Sequence, residues 1–273
     1  MTNTVLIFDS GVGGLSILKE IRQQLPQLNL NYLMDNAAFP YGTKSDEFLT
    51  KRVIEVCSKA VAELAPDILV VACNTASTLA LPQLRAALKI PVVGVVPAIK
   101  TAANLSTTKV IGLIATPATV CRPYTDNLVA EFAPNCEVHR LGSTELVLWA
   151  EKHINQGAIP NRQALKQHIQ PWLNNAEGIS HVVLGCTHFP LLLDSLQSLW
   201  PSITWVDSGN AIAMRVASLL NQRSNQTLNL PNGRLSLYWT AQEGPALGVA
   251  RFLGLLGELT EQRSVNIPHQ LAD

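Results

Sequence analysis

Residues 181–190 read HVVLGCTHFP. Val182, Val183 and Leu184 form an unbroken apolar run, the pattern of a strand buried on both faces, and Gly185 closes it. A cysteine, a threonine, a histidine and a proline follow. Residues 68–78, ILVVACNTAST, repeat the arrangement: apolar run, small residue, cysteine, polar pair, then a helix-forming stretch. In open α/β sheets, ligands bind outside the carboxyl ends of the strands. Each stretch therefore puts a thiol at a strand's end, where such a sheet does its chemistry.

Similar apolar runs recur along the chain. Strand candidates are Val5–Phe8, Asn31–Met34, Ile68–Ala72, Val92–Val95, Val110–Ala115, Glu137–Leu141, His181–Leu184, Ile203–Val206 and Leu235–Trp239. Helix-length segments with three-to-four-residue apolar spacing separate most of them. One opens at Ser45-Asp46-Glu47, a cap followed by acids in the first turn, and another covers Arg122–Phe132. Strands alternating with helices give the α/β class: two doubly wound, mainly parallel-sheet domains facing each other across a cleft. The Ala-rich stretch from Pro97 to Ser106 is read as the crossing into the second domain, and Asp207-Ser208-Gly209 as the return. Residues 1–97 and 208–273 then form one α/β domain and 98–207 the other. The polar tail from Thr260 to Asp273 reads as loose.

Composition excludes several function classes. The chain has 273 residues, is 47% hydrophobic and 15% charged, and balances 20 Lys+Arg against 20 Asp+Glu. That is a globular chain without the basic excess of a nucleic-acid binder. No run is long and charge-free enough to span a bilayer, and no export signal is legible, so no membrane partner and a cytoplasmic location are expected. The five cysteines, Cys57, Cys73, Cys121, Cys136 and Cys186, lie far apart without a CxxC pair, which favours reduced thiols.

Cys57, Cys121 and Cys136 read as small buried hydrophobes. Cys73 and Cys186 differ: each lies just past a strand, beside polar residues and at an expected helix N-terminus, where thiolate is favoured. His188 can shuttle a proton to or from Cys186. Asp9 ends the first strand, and Ser10, Gly11, Gly13 and Gly14 form a loop whose N–H groups suit an anion. That loop is not G-x-G-x-x-G, so a dinucleotide site is not indicated. Asn74, Thr75 and Thr187 place neutral hydrogen-bonding groups beside the thiols. Pro40-Tyr41-Gly42-Thr43 is a turn able to close over a ligand. Of Cys73, Cys186 and His188 only the last two are paired, at a spacing unusual for zinc ligands, so no metal is expected.

Taken together, DSGVGG at 9–14, PYGTKS at 40–45, ACNTAS at 72–77, VVGVVPAIK at 92–100 and LGCTHFPLL at 184–192 resemble the glutamate racemases, within the cofactor-independent amino-acid racemases. The resemblance runs from residue 5 to about residue 220. It implies interconversion of L- and D-glutamate without a cofactor, supplying D-glutamate for peptidoglycan. It also implies two catalytic cysteines, Cys73 for the D-enantiomer's proton and Cys186 for the L-enantiomer's, assisted by Asp9 and His188. The substrate contacts it implies are Asp9, Ser10, Tyr41, Gly42, Asn74, Thr75, Thr187 and His188. It leaves open a peptidoglycan-precursor activator, a homodimer, and whether Glu145 or Glu151 meets the substrate. Other readings remain: an aspartate racemase, a cysteine-nucleophile amidohydrolase needing only one thiol, and a two-lobed carboxylate-binding module.

Overall fold

The computed structural model describes residues 2–220 and 232–266. The strands are β1 Thr4–Asp9, β2 Asn29–Met34, β3 Ile68–Val71, β4 Val92–Gly94, β5 Val110–Ala115, β6 Glu137–Gly142, β7 His181–Leu184, β8 Thr204–Val206, β9 Leu235–Trp239 and β10 Leu259–Ser264. The helices are α1 Leu15–Gln24, α2 Asp46–Leu64, α3 Asn74–Ala87, α4 Ile99–Leu105, α5 Pro117–Val120, α6 Pro123–Phe132, α7 Glu145–Gln156, α8 Arg162–Asn174, α9 Leu193–Leu199, α10 Gly209–Leu219 and α11 Leu247–Gly254. Short 3-10 turns cover Tyr41–Thr43 and Phe189–Leu192. The described residues form two compact units: one runs through Val95 and resumes at Gly209, the other is Val96–Ser208.

The first unit carries a six-stranded sheet in the order β10-β9-β2-β1-β3-β4, with every pair parallel. β1 lies inside it, so Val5 to Phe8 are wholly buried, as are Ile68 to Val71 of β3. That is why both read as continuous apolar runs rather than alternating ones. From β1 the chain goes to β2 on one side and β3 on the other. The winding reverses between β1 and β3, which makes their carboxyl ends the switch point where open sheets bind ligands. α2 starts where its cap says it should: the Ser45 side chain accepts from the Phe48 N–H at 3.3 Å, with Asp46 and Glu47 in the first turn. It ends on Ala65 in the left-handed region, φ 42°. Its buried face, Leu49, Val53, Val56, Cys57 and Ala60, packs in one cluster with Leu69 and Val71 of β3 and Leu84 of α3.

The second unit holds a four-stranded parallel sheet, β6-β5-β7-β8. Its winding reverses between β5 and β7, so its switch point lies beside Cys186. Ile111, Leu113 and Val183 centre its core with Ile99, Leu128 and Val206. β6 is an edge strand and tolerates charge: Arg140 donates to the Asp126 carboxylate at 2.6 Å.

The structure departs from the sequence reading at three places. Thr260 to Ser264 lie in β10, an edge strand on β9, not in a loose tail; 267–273 lie outside the described residues. Polar residues on both faces hid this strand. Its backbone pairs along one side, and Arg263 bridges Glu63 and Glu261 over the Tyr238 ring. Cys121 is exposed and Cys136 half-buried, whereas Cys57 is buried as expected; none of the five cysteines is joined in a disulfide. Finally, no α-helix starts at Cys186. A turn and the Phe189–Leu192 3-10 segment intervene before α9. Among the described residues, no helix is long and apolar enough to cross a membrane.

Candidate active site

In the first unit, the register carries Asp9 and Cys73 to neighbouring strand ends: Phe8 pairs with Val71, and the Ala72 N–H donates to the Phe8 carbonyl at 2.8 Å. Asp9 is fully buried, and its Oδ1 accepts from the Gly11 N–H at 2.9 Å, folding the loop back on itself. The loop needs glycine at position 14. A Cβ there would lie 2.8 Å from the Asp9 Cβ and 3.0 Å from the Tyr32 ring. Tyr32 in turn donates its hydroxyl to the Gly11 carbonyl at 2.6 Å.

Cys73 occupies the N-cap of α3 with extended backbone, φ −64° and ψ 119°. Its Sγ lies 3.9 Å from the Ser10 Oγ. Asn74 and Thr75 follow, both buried. The Asn74 Oδ1 has no hydrogen-bond partner, an acceptor left for a ligand's N–H. Ser77 fixes the helix start, donating to the Val71 carbonyl at 2.9 Å while accepting from the Val95 N–H at 3.1 Å.

Tyr41 is buried, and its phenol donates to Asp35 Oδ2 at 2.6 Å. Burial, followed by the charge and hydrogen bond of Asp35, pushes that phenol's pKa well above its ordinary value. Gly42 is exposed, with open space where a side chain would sit.

In the second unit, Gly185 donates to the Ile114 carbonyl at 2.7 Å and presses against β5 so closely that a Cβ would lie 2.9 Å from Leu113 Cδ1. Cys186, Thr187 and His188 follow, all buried. Cys186 Sγ lies 3.7 Å from His188 Nδ1, and His188 Nε2 lies 2.7 Å from Glu151 Oε1 of α7. The other Glu151 oxygen accepts from Asn155 at 3.0 Å. Burial opposes the imidazolium. The hydrogen bonds to Cys186 and Glu151, and their charges, outweigh it and hold the His188 pKa well above the usual histidine value. Thiol, imidazole and carboxylate thus form a chain in which the carboxylate orients the ring and the ring can pass a proton to sulfur.

All the residues singled out from sequence in the first unit gather at the carboxyl end of its sheet, and Cys186, Thr187 and His188 do so in the second. The sequence reading left one group undecided and missed another. Glu151 carried no local signal to separate it from Glu145, which instead lies 3.8 Å from His168 with its side chain largely exposed. Asp35 and Arg52 were not singled out at all, although they form a buried ion pair. Among the described residues, no group of three or more His, Cys, Asp or Glu side chains is placed to hold a metal ion.

A chain of two parallel α/β units, each with a cysteine just past a strand at its switch point, matches a known family model. The Asp/Glu/hydantoin racemase model covers residues 12–216, and the chain belongs to that family. Among individual proteins, the chain is 51% identical over 223 residues to a glutamate racemase of Serratia proteamaculans, covering 81% of this chain and 77% of that protein. The crystal structure of Escherichia coli glutamate racemase in complex with L-glutamate and the activator UDP-MurNAc-Ala superposes with a TM-score of 0.89 at 42% identity, over 98% of this chain and 100% of that one. A glutamate racemase isoform of Bacillus anthracis superposes with a TM-score of 0.78 at 28% identity, over 97% and 98% of the two chains.

Proposed function

We propose that this protein interconverts L- and D-glutamate by two-base proton transfer without a cofactor, supplying D-glutamate for peptidoglycan. The observation that carries the reading is the pair of buried thiols, one at each sheet's switch point and each with its own polar neighbours. Inverting an α-carbon requires a base on one face and an acid on the other. Cys73 takes the proton of the D-enantiomer and Cys186 that of the L-enantiomer, and each returns a proton in the opposite direction. Asp9 serves the Cys73 side, and His188, oriented by Glu151, serves the Cys186 side. Ser10, Asn74, Thr75, Thr187 and the Tyr41-Gly42 turn hold the substrate's charged ends and the enolate-like charge that develops. A thiol is a weak base for so weakly acidic a proton, so exclusion of water and fixed dipoles must lower the barrier.

We infer that a second, regulatory ligand binds the first unit. A cavity of about 550 Å³ beside β4 is lined by Arg85 and Arg215 with apolar walls from Val93, Ile212 and Leu219. Two guanidiniums supply positive charge that suits a nucleoside diphosphate such as the activator named for the Escherichia coli enzyme. We assign the protein to the cytoplasm, where such a substrate and activator are made and used.

The test is incubation with L-glutamate in heavy water, following optical rotation and α-deuterium together, with L-aspartate in parallel. Loss of rotation with deuterium entering the α-position is expected for glutamate. Exchange with aspartate alone would shift the substrate. A trapped covalent adduct on one cysteine with no exchange would replace racemisation by nucleophilic catalysis.

A further inference from the structure

The Asp35 carboxylate, fully buried at the carboxyl end of β2, accepts four hydrogen bonds. Arg52 of α2 gives two, Nε to Oδ2 at 3.0 Å and a terminal nitrogen to Oδ1 at 2.7 Å. The Tyr41 phenol and the Thr240 hydroxyl give the others, each at 2.6 Å. The Asp35 N–H donates to the Asp9 carbonyl at 2.9 Å. The carboxylate thus ties together the Tyr41–Thr43 turn, α2 and the segment after β9, and the backbone N–H of the same residue joins them to the end of β1.

Burying such a pair is costly, and apolar residues of similar volume would stabilise at least as well. What the pair supplies instead is geometry: a planar guanidinium fork fixes the carboxylate, and the carboxylate fixes the phenol. With its hydroxyl committed to Asp35, Tyr41 is held by the network rather than turned toward a ligand.

We infer that Arg52 is a positioning residue for the reaction: through Asp35 and the Tyr41 hydroxyl it sets the Tyr41-Gly42 turn in its substrate-binding shape. This rests on the racemase reading and on the turn's place in it. The phenol acts as a strut and exchanges no proton with the substrate. Substrate affinity depends on the strut, and proton transfer at the thiols does not.

The experiment is steady-state kinetics in both directions on Arg52→Lys, Tyr41→Phe and the double variant, with circular dichroism and melting curves on each. Arg52→Lys keeps the charge but loses the fork, and Tyr41→Phe keeps the ring. Each is expected to raise KM about tenfold for both enantiomers, the loss of one hydrogen bond to a charged group, with kcat within about twofold. The double variant should be little worse than the worse single one, because both break one strut. A fall in kcat at unchanged KM for Tyr41→Phe would overturn the inference by making the phenol part of the chemistry. Unchanged KM with only a lower Tm would reduce Arg52 to a structural role. Either result in an enzyme whose wild type exchanges the α-proton of glutamate leaves the racemase reading standing; a wild type without exchange overturns both.

Discussion

Cys73 and Cys186 share a position at a strand's end but not a neighbourhood. Cys73 caps a fourteen-residue helix and faces a serine hydroxyl, whereas Cys186 sits in a turn before a 3-10 segment and faces an imidazole. The helix dipole is available to the first thiol only, and the second instead has beside it an imidazole hydrogen-bonded to a carboxylate. Cys73→Ala and Cys186→Ala should each fold normally and lose racemisation by at least ~10²-fold, since each removes a proton carrier from one face; polarimetry with each pure enantiomer checks this, and full turnover in either variant would refute it. His188 carries a raised pKa, so its interactions with Cys186 and Glu151 contribute stability in full below the histidine value of the unfolded chain. That contribution is lost as pH rises through the higher folded value. Glu151→Gln removes one cause of the elevation. The His188 titration, followed by NMR, should move to lower pH, and the alkaline limb of the rate profile should move with it. A profile identical to wild type would exclude Glu151 from the relay.

The elements that carry the site are set by local rules. Ser45 caps α2, whose buried face includes Arg52, so the helix start fixes where the guanidinium falls. Ser45→Ala should cost ~1 kcal/mol in chemical denaturation. The loop from β1 to α1 depends instead on close approach: Gly14 leaves no room for a methyl group between Asp9 and Tyr32. Gly14→Ala should destabilise the fold by ~1–3 kcal/mol and lower activity beyond what the lost stability explains, because relieving the clash displaces Asp9. Activity at wild-type level after a normal refolding would show that the loop has slack.

At the level of the molecule, the chain leaves its first unit and returns to it, while the second is one continuous segment, Val96–Ser208. That segment has its own sheet and its own buried cluster around Ile111, Leu113 and Val183. Expressed alone, it should fold, with a mixed helix–strand circular dichroism spectrum and a cooperative melt. A non-cooperative melt would mean that its core is not self-sufficient.

By itself, the sequence determined the strands at the heart of both sheets, the start of α2 at Ser45, the parallel class and the two thiols. These are local matters: a strand buried on both faces must be apolar, a helix must satisfy its first N–H groups, and a cysteine after such a strand stands at a sheet's carboxyl end. β10 escaped because an edge strand paired along one side places no apolar demand on its side chains. Glu151 stayed undecided against Glu145, and the Asp35–Arg52 pair escaped, for a different reason. A carboxylate in α7 meets His188, and an arginine in α2 meets Asp35, only once packing brings distant segments together. Nothing in the neighbouring residues distinguishes a charge bound for burial from one bound for solvent, so tertiary structure alone decided which partners these groups would have.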